Sequence, residues 1–347
     1  MNTLEELVDW FLNSQIYNGK AYIAYYSAKR KGLIYPEITA YAISLSCILY
    51  KRRRDRKFLE RAEKCAKYMM AINKNGGVPS FSDNLLYAFD TGIFISSMFD
   101  LYSVNNEKVY LNEAEKSLNW LYSLWDRESF VAVDRVPENK DWYHAPSVHL
   151  AKLVLPMIKA SIYLKDEKYE RTALELLDKY KKLQTESGGF KVCEGSEAIM
   201  THPHCYATEG FLYAYHTLKK QEFLEVAKKS SEWLRKMQNS DGSLCRSYYI
   251  EKTAKHRQRQ EKLKTADATA QATRIWKLLG VNQGGIEKAY GYLNSELKDK
   301  GLRLLKNETL TGKLFSWRRT VYSWPTFFYL HSLTLPFGQI QCCNELF

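Results

Sequence analysis

The sequence predicts an all-α fold, an (α/α)6 toroid whose six helical hairpins form an inner and an outer ring. Two kinds of helix-like segment alternate along the 347 residues. Glycine-containing turns with a short extended piece separate them, and the apolar segments recur at steps of about 50 to 60 residues. A repeat of this kind is typical of one architecture built from supersecondary units, so we predict a single domain over residues 1–347.

Segments of the first kind are amphipathic. In the segment 58–69, Leu59, Ala62, Ala66 and Met69 fall on one helical face and charged side chains on the other. The segments 169–184, 223–238 and 286–297 have the same pattern. Such helices cover a core on one side and meet solvent on the other.

Segments of the second kind are apolar nearly all round, as expected of helices enclosed by others. They begin near Pro36, Leu85, Pro146, Pro203, Ala266 and Trp324. Alternation of enclosed and covering helices predicts two concentric layers, and six pairs close a ring. An open α-solenoid is the alternative arrangement.

The turns give the inner helices a common direction. Each of four covering helices is predicted to end at a glycine-containing pair, as helices commonly do: Gly76-Gly77, Gly188-Gly189, Asp241-Gly242 and Thr311-Gly312. Proline near the start of an enclosed helix is tolerated because the first amides have no helical partner. All six inner helices should therefore direct their amino ends, and their partial positive charges, towards one mouth.

Acidic residues and histidines collect at these predicted amino ends. They are Glu37, Asp90, Glu209, Asp267, His144, His202 and His204. A single acid there could simply cap a helix or interact with its dipole, but charges on enclosed helices are costly unless they are paired or face a cavity. In a six-membered ring Asp90 would face Asp267 and Glu37 would face Glu209, with gaps of roughly 5 to 9 Å that suit paired glycosidase carboxylates. We predict these four acids and His204 as catalytic residues.

Polar and aromatic residues near the same ends are the predicted substrate-binding set. On the fifth inner helix Asp267, Gln271 and Arg274 share one face, which indicates a wet pocket or, alternatively, a buried Asp–Arg pair. Aromatic rings suit the CH faces of sugars, and arginines suit carboxylated or phosphorylated groups. The predicted binding residues are Tyr35, Tyr41, Tyr87, Trp142, His144, His202, Tyr206, Gln271, Arg274, Arg319, Tyr322 and Trp324.

Other site types find little support in the sequence. His202-x-His204-Cys205 could contribute to a zinc site, but no second Cys/His pair at zinc spacing follows. There is no Walker loop, GxGxxG or GxSxG motif, so we expect neither a metal nor a cofactor. The stretches 184–190 and 238–244 resemble short repeats of terpene cyclases and protein prenyltransferases, a likeness that we attribute to shared turn geometry.

Charge and composition limit the partners and the compartment. The formal net charge is +12, concentrated in the runs 51–57 and 252–264, which are either solvated surface or a polyanion-binding region. No nucleic-acid-binding motif accompanies them, so no nucleic-acid partner is expected. No apolar run reaches the roughly 18 to 20 residues of a membrane span, although peripheral contact with an anionic membrane stays open. Seven scattered cysteines and an acidic, amphipathic start favour a reduced, cytoplasmic protein.

Three segments resemble those of six-hairpin glycosidase-like proteins, in particular members associated with surface-polysaccharide and archaeal protein-glycosylation pathways. They are 35–41 (YPEITAY), 202–210 (HPHCYATEG) and 267–272 (DATAQA). The resemblance implies an (α/α)6 barrel and a carbohydrate substrate, with a uronic acid as one option. The wider superfamily includes unsaturated uronyl hydrolases with acidic catalytic residues at the barrel mouth, which implies Asp90 and Asp267 as the leading acid/base pair.

The sequence therefore predicts a carbohydrate-active enzyme, glycoside hydrolase-like, that acts on a glycan or acidic sugar by carboxylate acid/base catalysis. The alternatives are a sugar epimerase or isomerase, in which His204 and a carboxylate exchange a proton at carbon, and a lyase. Two hypotheses without catalysis also remain. One is a module that binds glycan or protein through the same mouth, and the other is a polyanion-binding solenoid.

Overall fold

The structure, a computed structural model, describes residues 3–27, 31–81, 83–135, 142–252, 255–306 and 320–347. Its α-helices, in chain order, are α1 Thr3–Asn13, α2 Pro36–Arg53, α3 Arg56–Ile72, α4 Ala88–Asn105, α5 Lys108–Ser123, α6 Val154–Leu164, α7 Glu167–Lys181, α8 Thr201–Leu218, α9 Gln221–Met237, α10 Lys255–Glu261, α11 Ala266–Leu279, α12 Gln283–Ser295 and α13 Ser323–Thr334. Short 3-10 helices span Trp142–His144, Val148–Leu153 and Ile340–Glu345.

The strands are two or three residues long. They are β1 Tyr25–Tyr26, β2 Ala198–Met200, β3 Leu244–Cys245, β4 Ser247–Tyr249, β5 Lys264–Thr265, β6 Leu297–Lys298, β7 Gly301–Leu302, β8 Leu305–Lys306 and β9 Val321–Tyr322. They form three small antiparallel groups, in the orders β1-β9-β7-β6, β2-β4 and β3-β5-β8. The architecture is therefore built from helices, and the short strands pair the connections between them.

The predicted alternation of covering and enclosed helices is confirmed. Helices α2, α4, α8, α11 and α13 bury nearly all their residues up to the last turn. Helices α1, α3, α5, α7, α9 and α12 bury one face only. The third enclosed segment differs from expectation: it begins as the 3-10 helix Val148–Leu153 and becomes α-helical at Val154. Pro156 then lies in the first turn of α6, where a missing amide proton costs nothing.

Residue contacts group the chain into two compact units. The amino-terminal unit comprises Tyr17–Ala24, Leu33–Tyr180 and Glu345–Phe347, and packs α2 against α3 and α4, and α4 against α5 and α6. The carboxy-terminal unit comprises Met1–Ile16, Tyr25–Gly32 and Lys181–Asn344, and packs α11 against α8, α12 and α13, with α9 on α8 and α1 on α13. Each unit thus contains enclosed helices covered by amphipathic ones.

One hydrogen bond recurs where each turn meets its enclosed helix. The fourth residue of α2, α4, α11 and α13 is a buried threonine whose hydroxyl accepts a backbone N–H from the extended stretch before the helix. The pairs are Tyr22 to Thr39 at 3.2 Å, Val78 to Thr91 at 3.0 Å, Leu244 to Thr269 at 3.0 Å and Leu302 to Thr326 at 2.9 Å. We call this bond the turn latch. It fixes the amino end of each of these helices relative to its turn.

Glycines let the turns approach the next covering helix. Gly188 has φ +103°, and a Cβ there would lie 2.2 Å from the carbonyl oxygen of Lys229 on α9. Gly242, with φ +89°, would meet Lys288 of α12 in the same way. In both turns a glutamine side chain bridges turn and helix: Gln184 donates to the Val226 carbonyl, and Gln238 donates to the Gly285 carbonyl. The likeness of the two stretches thus follows from shared turn geometry. The predicted turn at Thr311-Gly312 lies outside the described residues.

Candidate active site

Two acids of the amino-terminal unit come together. Glu37 is the second residue of α2, and Asp90 is the third residue of α4. Both residues are buried, with 4% of Glu37 and 1% of Asp90 exposed to solvent. The Tyr143 hydroxyl donates to Asp90 Oδ1 and also hydrogen-bonds to Glu37. Asp90 Oδ2 is buried and has no hydrogen-bond partner among the described residues. The structure therefore joins two of the predicted acids through one phenol and leaves one buried carboxyl oxygen of Asp90 without a partner among the described residues.

Burial and like charge raise the pKa of both acids. Loss of water contact raises the pKa of Asp90 well above its usual value, and the neighbouring charge of Glu37 raises it further. Burial also raises the pKa of Glu37, but hydrogen bonds from Tyr35 and Tyr41 favour its ionised form. Asp90 is therefore the member of the pair that holds a proton at higher pH, as a general acid must.

Aromatic rings enclose these acids. The Tyr143 ring lies 5.2 Å from Tyr87 and stacks on His149 at 5.2 Å with 22° between the planes. Ser147 Oγ hydrogen-bonds to His149 Nδ1 at 2.5 Å. His144 lies 5.7 Å from Tyr87, and Tyr35 lies 4.2 Å from Phe81. The predicted residues Tyr35, Tyr87 and His144 thus lie around the same pair of acids.

A buried lysine completes this cluster. Lys152 is fully buried, lies 5.2 Å from the ring centroid of Tyr41 and donates to the main-chain oxygen of Phe347. Its charge lowers the pKa of Glu37. Phe347 in turn packs on Tyr41, with 5.5 Å between the ring centroids. One cation thus supports the ionised form of Glu37 next to the protonated form of Asp90.

The carboxy-terminal unit contains a second cluster of predicted residues. Asp267 is the second residue of α11, and its Oδ1 accepts the Ala268 amide at 2.7 Å as well as the Thr265 hydroxyl. Its Oδ2 accepts from Trp324 Nε1 at 3.3 Å and lies 3.7 Å from His202 Nδ1. Asp267 thus combines a cap-like bond to its own helix with contacts from α8 and α13.

Gln271 orients the imidazole of His202. Gln271 Oε1 and His202 Nδ1 are 2.6 Å apart, so Nδ1 carries the proton and donates it to the amide oxygen. The His202 ring packs on Tyr206 at 4.4 Å and on Phe328 at 6.0 Å. Gln271 Nε2 is buried and has no hydrogen-bond partner among the described residues. The cluster therefore presents an oriented histidine and an amide donor beside a carboxylate.

Glu209 and Arg274 form a fully buried ion pair about two helical turns beyond His202 and Asp267. Arg274 Nη2 lies 3.5 Å from Glu209 Oε1, and neither side chain is exposed. The Arg274 guanidinium also lies 4.9 Å from the Phe328 ring centroid. The alternative of a buried structural pair is thus realised, although with Glu209 in place of Asp267. Phe328 also packs on His202, so its ring connects Arg274 to the His202 cluster.

His204 takes the position that threonine holds in the other turn latches. It is the fourth residue of α8, and its Nδ1 accepts the Phe190 amide at 3.0 Å while Nε2 bonds to Ser230 Oγ at 2.9 Å. Burial lowers the pKa of His204 to about 3. The structure therefore gives this neutral imidazole a latch role, and we leave it out of the proposed catalytic set.

The remaining predicted residues are less closely tied to either cluster. Tyr322 lies 5.1 Å from Trp324, ring to ring. Trp142 opens a 3-10 helix, but its side chain lies outside the described part of the chain, as does Arg319 entirely. Within the described residues, no group of three or more His, Cys, Asp or Glu side chains could hold a metal ion. None of the described helices is long and apolar enough to cross a membrane.

Sequence reasoning missed Lys152, His149 and the common register of the clusters. Aligned on the latch residue, Glu37, His202, Asp267 and Trp324 all stand two positions before it. An alignment of the enclosed helices on Thr39, Thr91, Thr269 and Thr326 would have revealed this register and the substitution at His204. Lys152 had no such signal because the third enclosed segment begins as a 3-10 helix.

Comparison with known proteins identifies the fold. No protein-family model matches the chain, and no curated protein matches it in sequence. A sugar epimerase from a ruminal bacterium superposes with a TM-score of 0.74 at 13% identity, over 99% of this chain and 98% of that one. An unsaturated glucuronyl hydrolase specific for heparin gives 0.70 at 14% identity, over 98% and 95% of the two chains.

A third structure, the cellobiose 2-epimerase of Bacillus thermoamylovorans B4167, gives a TM-score of 0.73 at 11% identity over 99% of each chain. At such low identity these likenesses establish the architecture and no more. The chain therefore has the six-hairpin (α/α)6 fold, as the sequence predicted.

Proposed function

We propose that this protein is an enzyme that acts on a glycan or an acidic sugar, with Asp90 as the general acid. The observation that carries the proposal is the buried Asp90–Tyr143–Glu37 arrangement at the amino ends of two enclosed helices. Structures with this fold include a glucuronyl hydrolase, a polysaccharide lyase and sugar epimerases, which supports a saccharide substrate.

Each group has a defined part in the proposed hydrolysis. Asp90 donates its proton to the glycosidic oxygen as the bond breaks, because its raised pKa keeps it protonated. Glu37 remains the anion of the pair, stabilised by tyrosine hydroxyls and Lys152, and the Asp90 carboxylate left after proton donation takes a proton from the attacking water, which regenerates the acid. Tyr143 holds the two carboxyl groups in position through its hydroxyl. The surrounding rings offer flat surfaces for pyranose CH groups.

The test compares Asp90→Asn with a matched variant on the same helix. Purified protein is incubated with an unsaturated glucuronyl disaccharide, mannan oligosaccharides and cellobiose, and products are followed by chromatography and NMR. Asp90→Asn should lower kcat about 10²- to 10⁴-fold with little change in KM, since proton donation is lost and the shape is kept. Asp100→Asn changes a carboxylate of α4 that faces Lys159 at 2.6 Å, and should keep activity within a few fold. Equal turnover by the parent and Asp90→Asn would exclude Asp90 as the acid.

The His202 cluster supports epimerisation as a second candidate function. With the proton of His202 fixed on Nδ1 by Gln271, the lone pair lies on Nε2, as a base that removes a proton from carbon requires. Asp267 at 3.7 Å would stabilise the imidazolium that forms. Turnover of cellobiose in D2O separates the two candidates: epimerisation places deuterium on the recovered sugar and should disappear in His202→Gln, whereas hydrolysis leaves carbon-bound hydrogen unchanged.

A further inference from the structure

A long, basic connection between α9 and α11 in the carboxy-terminal unit lies next to the His202 cluster at both of its ends. We call this connection the basic insertion. Residues 246–264 join the turn after α9 to α11, and they include β4, the short helix α10 and the first residue of β5. Strand β4 pairs with β2, in the register Met200 to Ser247, and β2 continues directly into the helix that carries His202. Strand β5 continues directly into the helix that carries Asp267. The two ends of this basic insertion are therefore fixed beside the cluster.

Polar contacts connect β4 and α10, which lie in the described parts of the basic insertion. The Glu261 carboxylate accepts the Tyr249 amide at 3.0 Å, and Gln260 Oε1 accepts the Tyr249 hydroxyl at 2.5 Å. Arg257 pairs with Glu197 and lies 5.6 Å from the Tyr249 ring. Helix α10 has no buried residue, so these contacts, and not a core, determine its position.

The charges of the basic insertion are unbalanced. Residues 246–264 contain seven lysines and arginines and two carboxylates. Asp241 is paired with Lys264 and Glu261 with Lys252. Four exposed cations have no carboxylate partner among the described residues: Arg246, Lys255, Arg259 and Lys262. Glu251 is the exposed carboxylate of the same segment. The four cations outnumber it, so the surface has a net positive charge that attracts anions.

We propose that the basic insertion binds the distal, negatively charged units of an elongated saccharide whose reacting end lies at the His202 cluster. The proposal rests on the second candidate function, catalysis at the His202 cluster, and adds that the substrate is polyanionic, with carboxylate or sulfate groups on successive sugars. The exposed cations complement a polyanion, and both ends of the basic insertion lie next to the helix starts that carry His202 and Asp267, which favours a substrate of that site as the ligand. Guanidinium and ammonium groups supply the charge-assisted hydrogen bonds that such anions accept.

The test measures binding separately from turnover. The probes are fluorescently labelled hexagalacturonate, a neutral maltohexaose of equal length, phosphatidylserine-containing vesicles and single-stranded DNA. The variant Arg259→Gln/Lys262→Gln removes two of the unpartnered charges, and the control Lys229→Gln/Lys236→Gln removes two exposed charges from α9 of the same unit. Both pairs are exposed, and circular dichroism and melting curves establish that each variant folds.

The parent should bind hexagalacturonate more tightly than maltohexaose, with an affinity that falls as salt rises. The Arg259→Gln/Lys262→Gln variant should lose about five- to tenfold in affinity for hexagalacturonate and show a shallower salt dependence, whereas the control changes less than about twofold. Turnover of a short uronyl disaccharide should be the same in both variants. Unchanged hexagalacturonate binding in the first variant, or tighter binding of vesicles or DNA than of hexagalacturonate, overturns the inference.

The two proposals fail in different ways. A parent protein that turns over the disaccharide but does not bind hexagalacturonate contradicts the basic insertion as a binding surface and leaves the proposed function intact. A parent that binds hexagalacturonate through the insertion, yet processes none of the saccharides, supports the surface and contradicts the enzyme.

Discussion

Asp90 illustrates how environment assigns a role to a single side chain. Its carboxyl group is removed from water, faces the charge of Glu37 and accepts one hydrogen bond from Tyr143. Each of these features is a tertiary contact. The sequence identified Asp90 as an acid on an enclosed helix, which is costly unless the acid is neutral, paired or solvated. It did not indicate that Glu37 would be the neighbour that raises its pKa.

The raised pKa of Asp90 predicts a pH-dependent cost in stability. Between its usual pKa near 3.8 and its higher folded value, the native state holds a proton that the unfolded state has lost. The free energy of unfolding therefore falls as pH rises through this window. Asp90→Asn removes the effect, so the variant should gain stability relative to the parent on going from pH 4 to neutral pH.

Urea unfolding of both proteins across this pH range measures the difference. Asp100→Asn is the control: it leaves the buried Lys159 ammonium without its carboxylate partner and should lose stability at neutral pH. A constant difference between Asp90→Asn and the parent at all pH values would contradict a protonated Asp90.

At the scale of single elements, the enclosed helices share their endings as well as their latches. Five of them are followed by a residue in the left-handed conformation, with φ between 56° and 67°: Arg54, Asn106, Lys165, Lys219 and Gly280. Only Gly280 and Asn106 have residue types that this conformation favours. The ends of the helices that finish at arginine or lysine could therefore not be predicted from residue type, since these residues rarely adopt positive φ.

Replacement of one of these residues by glycine should stabilise the protein. Lys219 is exposed and has φ 58°, so Lys219→Gly relieves a steric cost at the end of α8 and should raise the free energy of unfolding by about 0.5 to 1 kcal/mol. Its neighbour Lys220 is equally exposed but has φ −79°, so Lys220→Gly should be neutral or destabilising. Thermal melts of the two variants test this prediction. A loss of stability in Lys219→Gly comparable to that in Lys220→Gly would count against backbone strain at Lys219.

The His204 latch shows why a pattern of residue types can mislead. Read along the chain, His202-x-His204-Cys205 is a cluster of reactive groups. Successive residues of a helix point in different directions, however, and only His202 reaches Gln271 and Asp267. His204 faces the turn and Ser230, and Cys205 Sγ lies 3.9 Å from the Ala268 carbonyl oxygen. The helical period separates the functional histidine candidate from the structural one.

At the scale of the whole molecule, the accessibility of the cysteine thiols distinguishes the folded from the unfolded protein. All seven cysteines are free: Cys47, Cys65, Cys205, Cys245 and Cys343 are buried, and Cys193 and Cys342 are partly exposed. Burial raises the pKa of Cys65 to about 12, which suppresses its thiolate further. A thiol-specific reagent should label at most two cysteines in the native protein and all seven in denaturant, and a reductant should leave the melting temperature unchanged. Fewer than seven labelled thiols in unreduced, denatured protein would reveal a disulfide.

The fold could be predicted from sequence because its determinants are local and repeated. The helical period of apolar residues distinguishes covering from enclosed helices, and glycine turns mark the boundaries between them. These signals recur often enough along the chain to define six hairpins. The candidate residues at the helix starts were found for the same reason, because position within a repeat is visible in the sequence.

The roles of those residues depended on tertiary structure. The amino-acid pattern was enough to indicate the architecture, the reduced thiols and the presence of acids, histidines and aromatic rings at helix starts. The packing of the helices established that Tyr143 joins Asp90 to Glu37, that Gln271 hydrogen-bonds to His202, and that Glu209 pairs with Arg274. The physical reason is range: helix formation and amphipathicity depend on neighbours a few residues apart, whereas protonation and hydrogen bonding depend on groups that packing brings together from distant parts of the chain.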